Sequence, residues 1–147
     1  MTGDFPARLF RGLRKADWLI PGPRGSKKVS AEAFEPDAST EAKREDHRSE
    51  TSINWDDATE VLAVTTRQIN SQHGVAAVAT AHLETLELQS EADVLSHERR
   101  PTPENPFHGN LLFLTTGQKK FQRLITSSLA LFSNLIEPED VTNSDRP

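Results

Sequence analysis

An imidazole is the side chain most readily turned to acid–base work near neutral pH, so the histidines come first. His108 is the best placed of the five. It lies at the join of a stiff polar segment and an apolar run, in Pro101–Leu114, PTPENPFHGNLLFL. A single imidazole acts as a general base only with a nucleophile or a substrate proton within reach. No such partner can be named here, so a hydrogen bond to a loop carbonyl outweighs catalysis, and His108 stands as a binding candidate. His82-Leu83-Glu84 has an H-x-E form, but the zinc sites that use it draw their other ligands from cysteines, and this chain has none. His73, His82, His97 and His108 lack the i, i+4 spacing that puts two imidazoles on one helix face, so no metal site is expected. Phosphate loops of the GxxxxGK[ST] and GxGxxG types and the GxSxG nucleophile elbow are absent as well.

A second set of residues is scattered: Arg11 after Leu9-Phe10, Ser30 in a later extended segment, and Glu84 or Glu87 far along the chain. An arginine on a first strand, a serine on a second and a late glutamate resemble the arrangement of NAD-using ADP-ribosyltransferases, and LFRG resembles their first-strand motif. The resemblance implies that Arg11 holds cofactor phosphate or ribose and that Ser30 orients the site. Glu84 or Glu87 would then stabilise positive charge on the ribose as nicotinamide leaves. Glu84 and Glu87 stand three apart, where that family's pair stands two apart. The competing reading makes Arg11 and Arg14 edge-strand charges that discourage aggregation. More broadly, residues 9–113 resemble small bacterial α+β proteins of no assigned function. The matching features are Ser30, Phe34 and Pro36, then Gly74-Val75, then Asn105, Pro106 and His108. This likeness implies a compact α+β domain and supplies no activity.

These residues need elements to hold them. RLFRGLR at 8–14 predicts a short strand that bends or bulges at Gly12. An apolar knot, Trp18-Leu19-Ile20, is stopped by the turn PGPRG at 21–25, and a second extended segment follows over Val29–Phe34. Residues 37–52 have almost nothing apolar and read as an exposed polar loop. A helix is predicted over 56–72, capped by Asn54 or Asp56 and ended by Gly74, with Trp55 as an anchor at its entrance. Val75–Ala81 reads as a central strand, with mixed structure after it. Val94–Arg99 and Gly109–Leu114 read as strands, with Pro101, Pro103 and Pro106 barring regular pairing between them. The final helix, over 118–136, carries a wide apolar stripe, and Thr115 and Gln118 have capping-box spacing. Residues 137–147 form a polar tail.

The whole suits one α+β domain over residues 1–136: a small mixed or antiparallel sheet with two main helices, at 56–72 and 118–136. With no cysteine and no long apolar stretch among its 147 residues, the chain reads as soluble and cytoplasmic, without a membrane segment. The net charge of −5 hides an asymmetry: residues 1–28 hold seven basic and two acidic groups, a balance of +5, and the rest carries −10. Such a split steers a basic edge toward an acidic partner or a phosphate group, or lets the two parts attract each other. The acidic total disfavours nucleic acid. The expected function is a non-enzymatic interaction protein, immunity-like or partner-binding within a bacterial locus, with another protein as partner and self-association compatible. The binding candidates are Arg11, Arg14, His108, Lys119, Lys120 and Arg123, and no cofactor is needed. The alternative is an NAD-using transferase or glycohydrolase with NAD as cofactor, acting through Arg11, Ser30 and Glu84 or Glu87.

Overall fold

The computed structural model describes residues 7–37, 44, 48–55, 73–90, 94–114 and 119–136. The expected helix at 56–72, the cap at Thr115–Gln118 and the tail at 137–147 lie outside the described residues. Six strands form one antiparallel sheet: β1 (Arg8–Gly12), β4 (Arg48–Trp55), β5 (Val75–Ala79), β6 (Leu95–Arg99), β7 (His108–Leu114) and β8 (Asn134–Ile136). Their order is β6-β7-β4-β1-β5-β8. A separate hairpin pairs β2 (Leu19–Pro21) with β3 (Lys27–Val29), and the described residues include two α-helices, α1 (Thr80–Gln89) and α2 (Lys119–Leu131). The architecture is α+β with an antiparallel sheet.

Strand alternation explains where the core sits. Pairing places Leu9 opposite Trp55 and Val78, Arg11 opposite Ala76, Thr51 opposite Leu111, and Ser49 opposite Phe113. Side chains at directly paired positions share a face, so one face carries Leu9, Trp55, Ile53, Leu111, Phe113, Leu95, Val78 and Ala76. Leu83 of α1, Ile125 and Leu129 of α2, Phe34 and Trp18 join them in one buried cluster. The opposite face buries Phe10, Val75 and Ala77 beside Phe107 and Ile136. It also carries a polar cluster. Arg44 donates to Glu50 at 2.7 Å and to Glu98 at 2.8 and 3.2 Å, and Asn110 donates to Glu98 at 2.8 Å.

Several expectations change. Residues 48–52 are not exposed loop but the start of β4, an interior strand between β1 and β7. Ser49 and Thr51 are buried, and the Thr51 hydroxyl donates to the Phe34 carbonyl at 2.9 Å. The helix that Asn54 is expected to cap lies outside the described residues. Asn54 itself lies at the end of that strand and accepts from the Asn105 amide at 2.7 Å. β1 runs in continuous register from Arg8↔Ala79 to Gly12↔Val75, without a bulge, and the pairing continues as Leu13 N donates to Gly74 O at 2.9 Å. β1 is also interior, so Arg11 is no edge charge.

Past Val29 the extended segment turns into a 3-10 turn at Ala31–Phe34, begun when the Ser30 hydroxyl accepts from Glu32 N. The PGPRG segment does turn, with Arg24 and Gly25 both at positive φ, joining β2 to β3. β5 stops at Ala79 and sits next to the outermost strand rather than at the centre, and the chain goes straight into α1. β6 and β7 pair directly despite the prolines, because all three prolines lie in their connection. α2 ends at Leu131, not 136. The Ser133 hydroxyl donates to the Ala130 carbonyl at 2.7 Å, one of the local bonds that compete with helix continuation. Leu135 and Ile136 then pair with Ala76 and Val75 as β8. No helix among the described residues is long and apolar enough to cross a membrane.

Candidate functional site

α2 packs inward through Ile125 and Leu129, which are buried, and through the half-buried Phe121. A second line runs along its outer side. Lys120, Leu124, Ser127 and Leu131 recur at i, i+4, i+7 and i+11, and all four are exposed. A 3.6-residue repeat places them in one stripe. Leu124 is 59% exposed, Leu131 73% and Phe132, just past the helix, 60%. The 3-10 turn and β3 support α2 from the side. Between α2 and the hairpin lies a cleft of about 450 Å³. Its walls include Ile20, Val29, Ala130, Leu131 and Leu135, with Lys27 and Lys28 from β3 beside them.

The cleft is therefore largely apolar, with the exposed Lys27 and Lys28 on its hairpin wall. Among the described residues, the side chains of Lys27, Lys28, Lys120 and Arg123 make no ion pair or hydrogen bond. Lys119 opens α2. At the far edge of the stripe, His82 Nε2 lies 3.1 Å from the Ser128 hydroxyl, and its ring meets Phe132 at 4.5 Å between centroids. That pair ties α1 to α2 and fixes Phe132 against an imidazole.

The remaining sequence candidates have other work. Arg11 is partly buried, its Nε donating to Ala33 O at 2.7 Å and its Nη1 to Ser52 O at 2.8 Å. Burial, and then the charge of Arg14, lower its pKa from the ordinary guanidinium value to about 10. Ser30 caps the 3-10 turn, and its N–H donates to Trp18 O at 2.7 Å. Glu87 pairs with His97 of β6. β6 is three strands from β1, roughly 14 Å at the usual strand spacing of about 4.8 Å, so Arg11 and Glu87 are not brought together. Glu84 lies nearly one turn before Glu87 on α1 and makes no hydrogen bond or ion pair with Arg11 among the described residues. His108 Nδ1 lies 3.0 Å from Arg100 O. A carbonyl only accepts, so Nδ1 carries the proton and the ring braces the β6–β7 connection.

Of the binding candidates, Lys120 and Arg123 are exposed on α2 and do not line the cleft, and sequence reasoning missed Ile20, Lys27, Lys28 and the cleft itself. Their signal was the turn PGPRG, which implies a hairpin, but nothing in the chain says which helix that hairpin leans on. Among the described residues, no group of three or more histidine, aspartate or glutamate side chains is placed to hold a metal. Comparison with protein-family models, with curated proteins and with solved structures finds no match to this chain.

Proposed function

We propose that this chain is a non-enzymatic, cytoplasmic partner-binding protein, and that the cleft between the hairpin and α2 receives an acidic amphipathic segment of another protein. One observation carries the reading. Of the five large apolar side chains exposed among the described residues, Leu124 and Leu131 lie on α2, Phe132 directly follows it, Ile20 lies on the hairpin, and only Leu88, on α1, lies elsewhere. A clustered apolar surface rimmed by polar groups is the usual mark of a binding face. Lys27 and Lys28 give the cleft a positive rim, and Lys120 and Arg123 are exposed further along α2; such charge attracts carboxylates and speeds encounter. A helix or strand with aliphatic anchors would fill the cleft, with its acidic residues meeting the rim.

Selection of displayed peptides on the intact protein, followed by calorimetry on the enriched sequences, tests this. Leucine- or isoleucine-bearing acidic peptides should be enriched. Leu131→Asp should weaken them by at least about thirtyfold, the loss of a central anchor of roughly 2 kcal/mol. Lys27→Glu with Lys28→Glu should slow association and reverse its salt dependence. Enrichment of basic or uncharged peptides, or of none, refutes the proposal. So does a tight dimer in sedimentation that Leu131→Asp dissociates, because the occupant would then be a second copy of the chain.

A further inference from the structure

Three cations converge on one indole. The Arg11 guanidinium carbon is 5.0 Å from the Trp18 ring centroid, that of Arg14 is 5.3 Å away, and Lys15 Nζ is 5.9 Å away. Trp18 itself is 6% exposed and belongs to the core cluster, while Arg14 and Lys15 are open to solvent. Cation–π attraction holds each of them near the ring. It does not cancel their mutual repulsion, and no carboxylate among the described residues pairs with any of the three.

Arg11 is the buried end of the group. Two of its five N–H donors serve Ala33 O and Ser52 O, and the other three have no protein acceptor among the described residues. Those two carbonyls fix the guanidinium in place, which is the preorganisation an anion site needs. The depressed pKa of Arg11, from burial and from Arg14, fits a positive charge left without a counter-ion. None of these residues lines the α2 cleft, so the two sites are separable.

We infer that Arg11, Arg14 and Lys15, gathered around Trp18, form an anion site for the phosphoryl groups of a soluble phosphorylated small molecule, of the diphosphate kind. Three positive charges within 6 Å of one ring centre exceed what a single carboxylate neutralises. Guanidinium forks match phosphate oxygens in pairs, and Lys15 adds a point charge. The indole is already covered, so no nucleobase stacks on it and recognition rests on the phosphoryl charge.

Pyrophosphate titrated into the ¹⁵N-labelled protein at constant ionic strength tests the site, read at the Trp18 indole and the arginine Nε resonances. A saturable shift at Trp18, absent when chloride replaces pyrophosphate, is expected. Arg14→Gln with Lys15→Gln should weaken it at least about tenfold, the loss of one charge-assisted hydrogen bond or more. Both residues are exposed, so the unfolding transition of the double variant should match the wild type. A shift that never saturates, or an equal affinity in the double variant, overturns the site. Binding to phosphatidic acid vesicles without any response to pyrophosphate overturns the soluble ligand.

Discussion

Gly109→Ala should be among the most damaging single-methyl additions in this chain. Trp55, at the end of β4, lies across β7 and reaches β6, where its Nε1–H donates to Glu98 O at 3.1 Å and its ring meets His97 at 5.4 Å between centroids. It can cross because β7 has no side chain at 109. A Cβ there would touch Trp55 Nε1, lie 2.6 Å from Trp55 Cδ1 and sit 2.5 Å from Glu98 O. Trp55 is fully buried and cannot swing into solvent. The clash should cost about 1–3 kcal/mol as overpacking. Displacing the indole from its acceptor should add about 1–3 kcal/mol for the buried N–H. Together these make about 2–6 kcal/mol, or about 6–18 °C in Tm for a chain of this size. Urea unfolding followed by far-UV circular dichroism measures it. The same substitution in a Trp55→Leu background isolates the cause: if the indole is the obstacle, Gly109→Ala should cost at least about 1 kcal/mol less there. A loss below about 1 kcal/mol in the wild type, or equal losses in both backgrounds, refutes the reasoning.

Two further changes read the polar interior. Ser49 is fully buried opposite Phe113, and its hydroxyl has no hydrogen-bond partner among the described residues. Ser49→Ala should therefore stabilise the protein by about 1 kcal/mol in the same unfolding assay, and destabilisation would show that the hydroxyl has a partner. Burial alone would raise the pKa of Glu98. The hydrogen bonds from Arg44 and Asn110, with the charges of Arg44 and Arg100, outweigh that and hold it below the ordinary carboxylate value. A depressed carboxylate stabilises the fold above its unfolded pKa, about 4.3, and that contribution is lost as pH falls through the folded value. Glu98→Gln should accordingly weaken the protein at pH 7 and flatten its stability loss below about pH 4.3. Parallel pH profiles for the two proteins would contradict this.

Some of the molecule follows from local chemistry that needs no distant partner. The apolar repeat over Phe121, Leu124, Ile125 and Leu129 makes α2 a helix wherever it lies. PGPRG must turn, and the apolar run Leu111–Leu114 must be largely buried, as Leu111, Leu112 and Phe113 are. The basic excess of residues 1–28 is likewise in the composition, although only folding shows that part of it encircles Trp18 and part rims the cleft.

What tertiary structure decided is mostly where polar residues go. RSETSINW has the composition of a loop but lies between two apolar strands, whose backbone groups satisfy its own. Its buried hydroxyl finds Phe34 O, and its Glu50 finds Arg44, partners that hydropathy cannot anticipate. α1 was ambiguous because its leucines do not share a face: Leu83 is fully buried, and Leu88 is 89% exposed. α2 stops early because an outer edge of β5 was there to be paired. Arg11 and Glu87 looked like partners only in one dimension, and strand order put three strand spacings between them. Side-chain type sets what a residue can do, but the pairing of strands distant in sequence sets which residues meet. That pairing depends on contacts no local window contains.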